Sequence, residues 1–507
     1  MEKRLILAIA FSLLVLLSWS AFVSRVYHLE NKEVTTKAPP AFKAPVEQIT
    51  PSVRPPEQEP APASLFKYAQ DKFEITFIEP LAAIKEVTFK LHQDYKFPLK
   101  YGFMIGDKSP SFKTEKVTSE SVSFIYSGQN QRIIKKYLFS NSNYNIWLEI
   151  TIQNLSPAPI TLNLPVVLGI LDFSPQNIQS RYQDAAVATK DKVRHFNARK
   201  NLEFQDVRFL SLRDRYFCAI MEPAADSYQG LIKKINSQES EVSLVAQRIV
   251  IAPGQQIGQR FHIYLGPQDL RQINSIKPDW SGVVNYGAFD FIAQVLLQSL
   301  EFFYRVVHNW GLAIVILSLA IYLLLFPLTL KQMRSMKEMQ ALQPLIEEIR
   351  RTYKNDAQKQ NKEIMELYRK HKVNPLGGCL PLILQMPIFF ALYQALMRYV
   401  ALKGASFLWI KDLSEPDRLF KLPFSLPVLG NEVNILPIVM AIGMFIQQKI
   451  SLVSASSSVA EQQKLMLVVM PLMFGLIFYH MPSGLVLYWF INSGLMLLYQ
   501  LRIRRTR

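Results

Sequence analysis

The chain has 507 residues, half of them hydrophobic, with a formal net charge of +17. That length exceeds one small domain and suits two or three. The two cysteines, Cys218 and Cys379, fall in different parts of the chain, so an internal disulfide is not expected, and neither has a Cys or His neighbour at metal-ligand spacing. The apolar residues are unevenly placed, with a soluble-looking stretch between apolar ones. In such a chain the basic excess points to membrane orientation and anionic lipid, with ribosomal RNA as a second acidic partner.

Residues 1–4 are Met-Glu-Lys-Arg, and Leu5–Val23 follow as an apolar run of 19 residues. That is enough for a helix to cross roughly 30 Å of hydrocarbon. Trp19 stands near its outer end and no small-x-small cleavage site follows, so an uncleaved anchor over 1–30 is expected. Residues 31–63 carry prolines at 39, 40, 45, 51, 55, 56, 60 and 62 among Lys, Glu, Gln and Ala. They read as an extended linker.

From 64 to 280 short alternating runs recur, including Phe73–Phe77, Val122–Tyr126, Ile146–Ile152, Val242–Val245 and Arg260–Leu265. Turn residues separate them, which predicts a large antiparallel β-sandwich on the periplasmic side. Gln268–Ile276 reads as a short helix. Phe289, Ile292, Val295, Leu296, Leu300 and Phe303 recur at helical spacing and predict an amphipathic helix over 284–308, lying in the outer interface or packed on the β-domain.

Five further apolar segments follow at Gly311–Leu330, Leu376–Leu402, Ile435–Ile450, Leu465–Tyr479 and Leu485–Leu501. With the anchor they predict six transmembrane helices, the fourth and fifth of them short. Residues 331–372 hold eleven Lys and Arg, and Arg502, Arg504, Arg505 and Arg507 lie in the tail. The 403–433 loop balances four basic against four acidic residues. The positive-inside rule then places both termini in the cytoplasm. Within 331–373, Met333, Met336, Met339, Leu342, Leu345, Ile349 and Tyr353 form one helical stripe and Ile364, Leu367, Tyr368 and His371 another. A cytoplasmic helical hairpin is expected, turning at Lys354-Asn355-Asp356, with Pro344 in the first turn of a new helix.

The run Asn374-Pro375-Leu376-Gly377-Gly378-Cys379 opens the third span, which also carries Gln385, Pro381 and Pro387. A lipid anchor needs none of these, because proline removes a backbone donor and a lone amide must be satisfied inside a bilayer. The segment therefore reads as the lining of a protein interior or wet cavity. With Asn309-Trp310-Gly311, Phe326-Pro327-Leu328-Thr329, Gln385-Met386-Pro387-Ile388-Phe389 and Met481-Pro482-Ser483-Gly484-Leu485-Val486-Leu487-Tyr488-Trp489, residues 284–507 resemble the YidC/Oxa1/Alb3 membrane protein insertases. The anchor and β-domain are similar to the Gram-negative YidC branch, on architecture and on short pieces such as Tyr264-Leu265-Gly266-Pro267.

The resemblance implies an insertase core over 309–507, with a five-helix groove open to cytoplasm and lipid. It implies nascent membrane proteins as substrates, the SecYEG translocon as partner, and no nucleotide cofactor. Consistent with the last point, the sequence has no Walker-type loop. One position departs from the family. The bacterial branch usually places an arginine five residues before the Pro of the closing motif, where this chain has Tyr322. The implied groove is thus polar without being cationic, and its candidate residues are Ser318, Tyr322, Gln385, Trp489 and Asn492. An ordinary helix–helix hydrogen bond is the competing explanation for each.

Other functional readings fit less well. A transporter would show inverted repeats or paired charges within spans. A membrane-bound enzyme would cluster its catalytic groups, but the seven histidines are scattered and no HExxH or GxSxG motif occurs. A Sec-associated assembly chaperone that does not itself insert remains the nearest alternative. No metal, cofactor or specific nucleic-acid sequence is expected, while the ribosome and anionic lipids are candidate contacts.

Overall fold

The computed structural model describes residues 64–505 apart from 107–110, 142, 163–164, 191, 226–227, 247–248, 355, 372, 374–379, 427–428 and 452–456. The N-terminal anchor over 1–30, the Pro-rich linker, Asn355 and the Asn374–Cys379 run lie outside the described residues.

Strands β1 (Leu65–Ala69), β2 (Phe73–Ile78), β3 (Ala83–Phe89) and β4 (Tyr95–Gly102) form an antiparallel meander. The chain continues through β5 (Lys113–Val117), β6 (Ser121–Ser127), β7 (Gln131–Phe139), β8 (Asn145–Asn154), β9 (Ile160–Leu162) and β10 (Pro165–Asp172). Next come β11 (Asp184–Ala188), β12 (Val193–Phe196), β13 (Leu202–Phe204), β14 (Phe209–Arg213) and β15 (Phe217–Pro223). The domain ends with β16 (Tyr228–Lys234), β17 (Glu239–Ala246), β18 (Ile249–Ile251) and β19 (Gln256–Pro267). One nine-stranded sheet runs β12-β11-β14-β15-β19-β8-β7-β6-β5. A four-stranded sheet, β10-β17-β16-β13, is linked to the end of the first meander where Val167 donates to the Met104 carbonyl at 2.9 Å. These two smaller sheets together cover one face of the large one.

Aromatic rings fill the space between the layers. Phe77 meets Phe124 and Tyr137 at 5.3 and 5.2 Å, and Phe89 stacks on Phe217 at 3.9 Å. The alternation visible in the sequence is the physical cause, since every second side chain of a strand faces the core. On β7 this places Ile133, Lys135, Tyr137 and Phe139 inside. Lys135 is fully buried and donates to the carbonyls of Ala82 (2.6 Å) and Phe103. Both acceptors belong to residues with left-handed backbone, φ 45 and 61°. Burial pushes the amine well below its ordinary range. The two carbonyls accept the N–H groups that the amine would otherwise bury without partners.

Beyond β19, Asp269 caps α1 (Leu270–Ile276) with its side chain. Helix α2 (Asp290–Val307) is shorter than the 284–308 stretch read from periodicity, because 284–289 are loop and turn, with Gly287 at φ 92°. Its buried face is Ala293, Leu296, Leu297 and Leu300. Val295 lies outside that face, 46% exposed, with Phe291, Phe302 and Val306.

Helix α3 (Trp310–Ala341) runs straight through the second apolar segment into the basic region. Helices α4 (Gln343–Thr352) and α5 (Ala357–Lys370) pack as a pair, with Pro344 in the first turn of α4 and Asp356 capping α5. Its small core is Leu342, Ile346 and Val373, with Met339, Ile364, Leu367 and Tyr368 against it. Ile346 fills the place that periodicity assigned to Leu345, which is 39% exposed.

The bundle is completed by α6 (Leu380–Arg398), α7 (Ile435–Ser451), α8 (Ser457–Tyr479) and α9 (Ser483–Arg505). Helix α9 is central and packs on α3, α6 and α7, while α2 packs on α3 and α6. Among the described residues, Trp310–Met339 and Ser483–Arg502 are long and apolar enough to cross a membrane. Ile435–Ile450 and Leu467–Tyr479 are shorter apolar helices.

The β14–β15 turn docks the β-domain onto the bundle. Arg215 donates to the Met397 carbonyl at 2.8 Å, the Ser414 carbonyl at 2.7 Å and the Glu415 carboxylate at 3.0 Å. Beside it, Asp214 accepts from the backbone N–H of Tyr216 and Phe217, each at 2.8 Å, and from the Tyr95 hydroxyl. Burial outweighs these hydrogen bonds and pushes Asp214 from 3.8 up to about 6. Between about pH 4 and 6 the folded state keeps a proton that the unfolded state has lost, so stability falls as pH rises through that window. The whole effect is roughly 3 kcal/mol. Asp214→Asn is expected to flatten this slope and raise stability at pH 7 by roughly 1–3 kcal/mol. Unfolding of the purified protein between pH 4 and 7 is the check.

Candidate functional site

The loop from 403 to 434 folds into a cap over one end of the bundle. Asp417 is buried and accepts from the Leu436 N–H at 2.8 Å, satisfying a free donor at the start of α7. It also accepts from Trp409 Nε1 at 3.3 Å. Asn434 donates to the Tyr479 carbonyl at the end of α8. At the start of α9, Ser483 and Gly484 donate to the carbonyls of Glu415 and Leu413 at 2.8 and 2.9 Å. Hairpin β20 (Phe420–Leu426) with β21 (Gly430–Val433) completes the cap.

This arrangement explains two motifs. Asn309 caps α3 by accepting from the Leu312 N–H at 2.9 Å. Trp310 stacks on Tyr304 at 3.8 Å and meets Tyr399 edge-on at 5.4 Å. A β-carbon at Gly311 would overlap the Phe407 ring, so only glycine lets the cap close on α3. In Met481-Pro482-Ser483-Gly484, the serine and glycine amides are the ones that hold the cap.

Below the cap the candidate polar residues separate into two kinds. Ser318 is fully buried and donates to the Ile314 carbonyl of its own helix at 2.7 Å. Asn492 likewise donates to the Tyr488 carbonyl at 2.9 Å. Tyr322, one turn beyond Ser318 on α3, has a buried hydroxyl that meets no partner. Its ring contacts Phe326 at 5.8 Å, and Phe326 meets Tyr499 of α9 at 5.1 Å. Trp489 also has a buried, unpartnered Nε1, within a cluster of Phe389, Phe474 and Phe478 at 5.2–5.6 Å. Gln385 and Asn492 lie near the Tyr488 hydroxyl. No partner meets that hydroxyl at hydrogen-bond distance.

Sequence reading missed Tyr488 and Tyr499. The signal was present, since Tyr488, Asn492 and Tyr499 are spaced by four and seven residues and share one face of α9. Helices α3 and α9 thus carry three buried polar atoms without partners, Tyr322 Oη, Tyr488 Oη and Trp489 Nε1. Each such group costs about 1–3 kcal/mol unless water or a visiting polar group satisfies it.

A β-sandwich docked on a bundle of apolar helices defines a membrane protein carrying a large extramembrane domain. Residues 302–507 match the family described as 60Kd inner membrane protein, and residues 107–299 match the YidC periplasmic domain. The membrane protein insertase YidC of Syntrophus aciditrophicus is 33% identical, covering 97% of each chain. That of Pelobacter propionicus is 30% identical over 100% of this chain and 99% of its own. A crystal structure of an active YidC insertase with its first transmembrane domain resolved is 20% identical, with a TM-score of 0.40, covering 86% of this chain and 92% of its own. The chain belongs to the YidC family of membrane protein insertases, inner-membrane proteins with a periplasmic domain.

Proposed function

We propose that this protein inserts nascent membrane proteins through a polar groove between α3, α6 and α9, capped towards the periplasm and open to the cytoplasm and lipid. The observation that carries this reading is the set of unpartnered buried atoms Tyr322 Oη, Tyr488 Oη and Trp489 Nε1. Gln385 adds a polar amide beside Tyr488. Ser318 and Asn492 contribute less, because their donors bond to their own helices.

The physical task is to carry a hydrophilic tail across hydrocarbon, where one charge at the bilayer centre costs about 3 kcal/mol on insertion scales. A wet notch shortens that path, and the short α7 thins the bilayer beside it. The client's apolar segment then leaves sideways into lipid. Its burial, at roughly 25 cal/mol per Å², drives the reaction without catalysis or nucleotide.

In this reading six helices cross the inner membrane, both termini lie in the cytoplasm, and the basic hairpin of α4 and α5 faces anionic lipid and the ribosome. SecYEG is the partner for larger clients. The test is reconstitution of the purified protein into liposomes without SecYEG, with a short-tailed membrane protein synthesised in their presence. Protease protection of the tail above empty liposomes is expected. No protection, with folded protein present, would favour a Sec-associated chaperone.

Tyr322 brings a hydroxyl and no charge to the groove. In that assay Tyr322→Ala should lower insertion no more than about fivefold, the worth of one neutral hydrogen bond. Acidic-tailed clients should show no special sensitivity. A near-complete loss at normal protein levels would contradict this account.

A further inference from the structure

A second polar cleft, of about 240 Å³, lies beside the end of α6 where the bundle meets the β-domain. That volume is several times the roughly 30 Å³ of one water in the liquid. Arg181, Arg199 and Arg398 all line it, together with Tyr182, Asp184 and His195. Asp184 is the acidic lining residue, and Arg213 already holds both its oxygens, through Nη2 at 2.6 Å and through Nε. Arg213 uses its remaining nitrogen on the Val283 and Asn285 carbonyls, at 2.9 and 3.2 Å. The cleft therefore keeps a positive excess.

Three polar atoms of the lining are buried and unpartnered: Arg398 Nη1, Tyr182 Oη and His195 Nδ1. His195 bonds the Gly282 carbonyl through its other nitrogen at 3.0 Å, and its Nδ1 is 3.9 Å from Asp184. Arg181 and Arg199 are exposed and lie over the rings of Tyr182 and Phe173, at 4.8 and 5.0 Å. An unpaired guanidinium N–H is costly to bury, and its natural acceptor is a phosphate or carboxylate oxygen.

Height decides between acceptors. Arg398 is the last residue of α6, and the next residue, Tyr399, belongs to the aromatic group with Trp310 and Tyr304. Such rings sit at the headgroup level of a bilayer. We propose that this cleft binds the phosphate of an anionic phospholipid headgroup in the periplasmic leaflet, with Arg398 at its base and Arg181 and Arg199 at its mouth. A zwitterionic headgroup would bring an ammonium towards three arginines and is disfavoured. The bound lipid would tie the β-domain to the membrane beside the Arg215 contact. The inference rests on α6 crossing the membrane, and it does not require the groove to insert clients.

The test uses the full-length protein in nanodiscs of phosphatidylglycerol or phosphatidylcholine, with retained lipid counted by native mass spectrometry. Wild type should retain phosphatidylglycerol in preference to phosphatidylcholine. Replacing the two exposed arginines together (Arg181→Gln with Arg199→Gln) should weaken that retention about tenfold while leaving the fold intact. Arg398→Gln should weaken it further. Inorganic phosphate alone should not displace the lipid. Equal retention by the double variant, equal retention of phosphatidylcholine, or full displacement by phosphate would each overturn the proposal, the last by identifying a free-anion site.

Discussion

Arg215→Ala should loosen the β-domain from the helical bundle and destabilise the protein by about 3 kcal/mol, the cost of breaking a buried hydrogen-bonded charge. Its side chain is 7% exposed and serves three acceptors on the bundle side, at Met397, Ser414 and Glu415. Glu415 keeps Arg418 at 3.4 Å, so the two stranded carbonyls account for most of the loss. Lysine should restore only part of the stability, because one ammonium cannot reproduce a fork that reaches three acceptors. A loss of this size lowers the melting temperature of a domain of 150–250 residues by about 6–12 °C. Thermal unfolding of the purified protein, with limited proteolysis in the 403–418 loop, reads both effects. An unchanged melting temperature and loop protection would show that the contact holds nothing together.

Trp489 carries the second large effect, and two substitutions divide it. Trp489→Ala removes the ring that joins Phe389 of α6 to Phe474 and Phe478 of α8, and should cost about 3–5 kcal/mol through lost packing and a cavity. Trp489→Phe keeps most of the packing and deletes only the buried, unpartnered N–H. The phenylalanine variant should melt within a few degrees of wild type yet insert clients more slowly, if that N–H meets the passing chain. Equal insertion by wild type and Trp489→Phe would reduce Trp489 to a packing residue.

The sequence showed the elements that follow from period alone. Alternation marked β2, β6, β8, β17 and β19, and apolar length marked the bundle helices. The motifs were legible as patterns, but their physical purpose was not. Gly311 needs Phe407, and Ser483 and Gly484 need the carbonyls of Glu415 and Leu413, partners about 70–100 residues away. The cap itself was read only as a loop of balanced charge, because its hydrogen bonds join residues with no shared period. Lys135 shows the same limit. In a strand reading Arg-Ile-Ile-Lys-Lys-Tyr a lysine looks exposed, and only the register of β7 reveals that it faces inward. On α2 and α4 the stripes were right to about one residue, and Leu345 gave way to Ile346 because packing on α5 sets the rotation.

The measurement that tests the groove most directly is site-specific photocrosslinking during insertion. A photoreactive residue would replace Tyr322, Tyr488 or the outward-facing Leu324, which is 76% exposed on α3. A short-tailed membrane client arrested during synthesis should form adducts from Tyr322 and Tyr488, and few or none from Leu324. Adducts from Leu324 alone would contradict the account, placing the client on the outer surface of the bundle and leaving the polar interior without a role in insertion.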